Sequence, residues 1–119
     1  MFDLKGKRVF VAGHRGLVGS ALVRRLQQEN CDILTATREE VDLRCQKDTN
    51  YWIQSHQPDL IFLAAATVGG ILANSQRPAD FIYDNLMIEA NVIHAAKQYD
   101  VSKLVHTNKL EYLSWRGQI

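Results

Sequence analysis

A short apolar run, Arg8-Val9-Phe10-Val11-Ala12, stops at a glycine, and "GHRGLVG", Gly13 to Gly19, follows it directly. Val18, Ala21, Leu22 and Leu26 then recur at helical spacing. Strand, tight turn and helix in that order are the context in which a glycine pattern carries structural meaning. The spacing is G-x-x-G-x-x-G, and no Gly-Lys-Ser/Thr follows, which argues against a phosphate-gripping P-loop.

The rest of the chain continues the alternation. Asp32 to Ala36 reads as a second strand, Gln46 to Ser55 as a helix, and Leu60 to Ala66 as a third strand after Pro58 closes the segment before it. Pro78 opens a long helical pattern in which Phe81, Ile82, Leu86, Ile88, Ala90, Val92, Ile93 and Ala96 form a wide apolar face, expected to pack on a sheet. Lys103 to Thr107 is the fourth strand. The expected fold is α/β: a parallel sheet of about four strands with helices on both faces.

In such a turn Gly13 permits the tight exit from the strand, Gly16 lets the backbone approach a pyrophosphate, and Gly19 lets the helix lie close on the sheet. Exposed N–H groups and the helix dipole favour an anion there, by roughly 0.3–1 kcal/mol per charge. The plain alternative is a glycine-rich connection without a ligand. Arg38 lies at the end of the second strand, where an acid would hold the ribose 2′-hydroxyl of NAD; an arginine suits a 2′-phosphate, and Arg15 can approach it from the other side. NADP is therefore expected over NAD. The competing reading makes both arginines solvated surface charges, with Glu39 as the ribose acid. Ala64, Ala65 and Ala66 are small enough for a ribose or pyrophosphate to pass, or for a tightly packed sheet end.

Charge excludes some partners. Fourteen Lys and Arg against thirteen Asp and Glu leave a net charge of +1, without the basic block that tracks nucleic acid. Cys31 and Cys45 lack metal or disulfide spacing, and His14, His56, His94 and His106 are scattered. "MFDLKGKRV" does not read as a secretory signal, and the apolar stretch from Leu60 to Ala73 falls short of the ~20 residues of a membrane span. A cytoplasmic protein is expected.

"VFVAGHRGLVGSAL", "TREEVDL", "LAAATVGGILAN" and "RPADFIYDNLMIEANVIHAAKQYDVSKLV" together resemble the extended short-chain dehydrogenases, and within them the GDP-L-fucose synthases. The resemblance implies a Rossmann-like domain that binds NADP through Gly13, His14, Arg15, Gly16, Leu17, Val18, Gly19 and Arg38, with Asp42 and Leu43 near the adenine and Ala64, Ala65 and Ala66 beside the cofactor. Val68-Gly69-Gly70 resembles a loop on the substrate side, and Thr67 departs from a common Lys. In full-length members of that family a GDP-keto sugar is epimerised and then reduced by NADPH.

After the fourth strand the family continues with Gly-Ser-Ser-Cys, whereas this sequence reads "HTNKLEYLSWRGQI". The expectation is an NADP-binding portion at 1–107, a tail at 108–119 outside the family pattern, and no catalytic residue. A tail of accidental origin and a cap built on Leu110, Leu113 and Trp115 remain alternatives. Tyr99 and Lys103 have the four-residue spacing of the family's Tyr-x-x-x-Lys, but they straddle a helix-to-strand connection and are not expected to converge. A second expectation is a non-catalytic nucleotide-binding or interaction module that self-associates through the exposed edge of its fourth strand.

Overall fold

The computed structural model describes residues 3–65 and 78–107, leaving aside the side chains of Pro78 and Phe81. The expectations for Ala66, Thr67, Val68 to Gly70 and the tail at 108–119 lie outside the described residues. Strands β1 (Arg8–Ala12), β2 (Asp32–Leu34), β3 (Leu60–Leu63) and β4 (Lys103–His106) form one sheet in the order β2-β1-β3-β4. All pairings are parallel, with Val9 opposite both Ile33 and Leu60, and Ile61 opposite Leu104. Helices α1 (Leu17–Leu26), α2 (Gln46–His56) and α3 (Pro78–Gln98) make the crossovers that parallel neighbours require.

Alternation along β1 divides the core in two. Val9 and Val11 point to the face covered by α1, where they meet Leu26 and Leu60. Phe10 and Ala12 point to the other face, where Ile61, Leu63, Ile53 of α2 and Ile88, Val92, Ala95 and Ala96 of α3 close over them. Phe10, Ile53 and Ile61 are sealed from solvent, each burial contributing roughly 1.5–3 kcal/mol. The result is a three-layer sandwich with a sheet buried on both faces, as the alternating pattern requires.

Two strands are shorter than their composition suggests. β2 ends at Leu34, and Thr35-Ala36 leave the ladder; β3 ends at Leu63, with only the Ala64 N–H still donating to the Ala12 carbonyl. The wide apolar face of α3 is also corrected. Ile88, Val92 and Ala96 are buried as expected, but Ile82, Leu86, Ala90 and Ile93 are exposed. A helix lying on α2 and a sheet seals one stripe, and the breadth of its apolar pattern does not say what covers the remainder. Tyr99 sits just past the end of α3 and Lys103 opens β4, so they share no helix face. No helix among the described residues is long and apolar enough to cross a membrane.

Candidate functional site

From β1 the chain crosses one way to β2, and β3 lies on the other side of β1. The sheet therefore switches direction between β1 and β3, and a crevice opens at the carboxyl ends of the strands, where ligands of open α/β sheets bind. A cleft of about 740 Å³ occupies this place. Its walls combine the β1–α1 turn, the segment after β2, Ala64 and Ala65 after β3, and Asn85, Ile88 and Glu89 of α3.

The three turn glycines have different reasons to lack a side chain. Gly13 has φ +91°, and a Cβ there would lie 2.6 Å from the Ala65 nitrogen, so the turn rests directly on the end of β3. A Cβ on Gly19 would come within 1.8 Å of the Gly13 carbonyl oxygen. Its close approach is thus to the backbone of its own turn rather than to a neighbouring strand. Gly16 has φ −75° and ψ 174°, ordinary extended backbone, and an added Cβ would meet only the Gly13 oxygen at 3.6 Å. Packing within the chain leaves Gly16 unexplained.

Gly16 is also the N-cap of α1, which has no side-chain cap and no acid in its first turn. The leading N–H groups of a helix lack intrahelical partners, so this end is left to an outside acceptor. Arg15 and Arg38 both line the cleft, whereas Glu39 does not. Among the described residues neither arginine takes part in a salt bridge.

Beyond Arg38 the wall is braced. Asp42 accepts from the Arg44 side chain at 3.1 and 3.0 Å, and Arg44 also reaches Asp84 of α3 at 3.5 Å. The buried Asn91 of α3 donates to the Leu43 carbonyl at 2.9 Å, and the hydroxyl of Thr49 in α2 to the same carbonyl at 3.3 Å. The segment carrying Asp42 and Leu43 is thereby tied to both α2 and α3. The Arg44 hydrogen bonds hold the Asp42 carboxyl below its ordinary value against the opposing effect of desolvation.

A depressed carboxyl contributes stability above its unfolded value, about pH 4, and loses it as pH falls through the lower folded value. Arg44→Ala removes the cause. Its stability should be lower at pH 7 and fall less steeply between about pH 5 and 2, as urea titrations across that range would show; an unchanged slope would remove Arg44 as the source.

Of the residues expected at the site, the cleft gathers Gly13, His14, Arg15, Gly16, Leu17, Val18, Arg38, Asp42, Leu43, Ala64 and Ala65. Gly19 stands behind the wall as a packing residue. Ala36, Thr37, Arg44, Asn85, Ile88 and Glu89 also line it and were not anticipated. The α3 residues share one helix face, and Glu89 is backed by the buried His106, whose Nε2 lies 3.4 Å from its carboxylate. Cys31 is no part of this wall, and burial pushes its thiol up.

Relatives agree with this architecture. A GDP-L-fucose synthase from Escherichia coli is 51% identical over 100 residues, covering 83% of this chain and 31% of its own length. One from Sinorhizobium fredii is 48% identical over 105 residues, 88% of this chain and 33% of that one. The chain thus spans about a third of the length of these curated relatives. Among solved structures, a GDP-mannoheptose C4 reductase from Campylobacter jejuni with NADP bound superposes with a TM-score of 0.80 at 37% identity, over 89% of this chain and 33% of the other. The profile of the NAD dependent epimerase/dehydratase family matches residues 9–108. With the strand order, the glycine turn and the cleft at the switch point, that match establishes the chain as a member of the NAD dependent epimerase/dehydratase family.

Proposed function

We propose that this chain holds the adenosine half of NADP(H) in the cleft at the switch point, as the N-terminal part of a GDP-L-fucose synthase-like epimerase-reductase. The observation that carries the reading is Gly16: a position at the mouth of the cleft, at an uncapped helix N-terminus, where the chain's own packing has room for a side chain and the sequence supplies none. Close approach of a diphosphate accounts for it. Gly13, with its turn seated on Ala64 and Ala65, holds the strand exit open to the ligand.

On this reading the N–H groups at the start of α1 bind the pyrophosphate, and Arg38 with Arg15 binds the 2′-phosphate. Asp42 and Leu43, held by Arg44 and Asn91, flank the adenine. Each Asp42 oxygen already accepts from Arg44, so the Asp42 side chain serves mainly to order the wall. The cofactor, when bound, supplies the hydride that reduces a keto sugar in the resembled enzymes. The reading assigns no catalytic residue to this chain, whose part is to bind and orient. It also divides the chain into a cofactor-binding part up to residue 107 and a tail at 108–119; the family match, which stops at 108, supports that division.

Calorimetric titration with NADPH and NADH tests the assignment. Losing one charged hydrogen bond costs roughly 1.5–3 kcal/mol, so Arg38→Ala should weaken NADPH about ten- to a hundred-fold and leave NADH within about two-fold. Equal losses for both would remove the 2′-phosphate from Arg38.

A further inference from the structure

Arg38 extends from an exposed turn, yet the turn is closed by a lock of its own. The Thr37 N–H donates to the Glu40 carboxylate at 2.8 Å, and the Glu40 N–H donates back to the Thr37 hydroxyl at 3.3 Å. The Thr37 carbonyl accepts from both the Glu40 and Val41 N–H groups at 3.0 Å, and Val41 is buried beneath. This is the reciprocal pattern of a capping box, here spanning Thr37-Arg38-Glu39-Glu40. Thr37 lines the cleft beside Arg38, whereas Glu40 stands outside it, and among the described residues its carboxylate pairs with no Lys or Arg.

We propose that Thr37 and Glu40 are positioning residues for cofactor choice: their reciprocal hydrogen bonds fix the backbone at Arg38, so that its guanidinium is presented to the cleft, and with it the preference for a 2′-phosphorylated dinucleotide. The proposal rests on the NADP reading above and deepens it. A lock that served stability alone would have small effect on so exposed a turn, and it would not distinguish two ligands that differ only in one phosphate. The sign of the electrostatics also separates the possibilities. Glu40 is an anion near an anion-binding arginine, so as a bare charge it opposes NADPH, and its removal would tighten binding. As a positioning group its removal loosens binding.

The test compares Thr37→Val, Glu40→Ala, Glu40→Gln and Arg38→Ala in the full chain by calorimetry with NADPH and NADH. Thr37→Val and Glu40→Ala should each weaken NADPH about five- to ten-fold with NADH within about two-fold, an amount that matches losing part of one charge-assisted contact. Gln completes a capping box as Glu does, so Glu40→Gln should return NADPH to the parent value or tighter. Glu40→Ala that binds NADPH as tightly as the parent overturns the proposal, as does a loss shared equally by both dinucleotides. If Arg38→Ala leaves the NADPH-to-NADH ratio unchanged, the 2′-phosphate reading fails and the proposal with it. A selective loss in Glu40→Ala that Gln does not restore also overturns it, since the reciprocal hydrogen bonds that Gln rebuilds would then not be what places Arg38.

Discussion

Gly19→Ala should remove a large share of the stability of this domain. A methyl group there would stand 1.8 Å from the Gly13 carbonyl oxygen, 2.7 Å from its carbon and 3.0 Å from the His14 Cα. All three are backbone atoms, so no side-chain rotation relieves the contact; either the start of α1 lifts from the turn or the turn leaves the end of β3. Overpacking a core usually costs about 1–3 kcal/mol. Here the obstacle is rigid, and a cost of about 4 kcal/mol or more is expected, against a total stability of about 5–15 kcal/mol. The melting temperature, followed by circular dichroism, should fall by more than about 10 °C. Gly6→Ala is the control. Gly6 has φ +73° with nothing within 4 Å of the added atom, so only the left-handed backbone is penalised, by about 1–2 kcal/mol. A Gly19→Ala chain melting within a few degrees of the parent would mean that α1 does not rest on its turn.

That contact illustrates which features the sequence makes legible. β1 was readable to the residue because an apolar run ended at a glycine, and α2 to within one residue because a left-handed Gln57 and then Pro58 end it sharply. β2 and β3 were read too long for a common reason: Thr35-Ala36 and Ala64-Ala65 are strand-like in composition, but a ladder lasts only as long as its neighbour runs alongside. Past the strand ends the neighbours diverge, and Ala36, Ala64 and Ala65 become part of the cleft wall. Gly13 to Val18 and Arg38 were legible as cleft residues because they follow strand ends, and Asp42 and Leu43 through the family resemblance. Asn85, Ile88 and Glu89 were not, since their place depends on how α3 is rotated over the sheet. The same dependence hid the exposure of Ile82, Leu86 and Ile93. Thr37 and Glu40 did carry a signal, the Thr-x-x-Glu spacing, although in a turn rather than at the head of a helix.

Gly16→Ala should leave the fold intact and remove the ligand, the reverse of the outcome at Gly19. In the folded chain the new methyl group finds ordinary contact at 3.6 Å and a backbone that any residue adopts. Replacing Gly by Ala at a compatible position gains about 0.4–1 kcal/mol by restricting the unfolded chain. Ala is a poorer N-cap than Gly by a comparable amount, so the two effects nearly cancel and the melting temperature should stay within about 3 °C of the parent. Binding has no such compensation. The methyl group occupies the approach to the first N–H groups of α1, and each charge-assisted hydrogen bond it breaks is worth roughly 1.5–3 kcal/mol, or about ten- to a hundred-fold in affinity. Because the pyrophosphate is common to both dinucleotides, NADPH and NADH should weaken alike, by about a hundred-fold, where Arg38→Ala separates them. Unaltered affinity for both in a folded Gly16→Ala chain would show that no phosphate lies against this turn, and the glycine would be left without either a packing or a ligand reason.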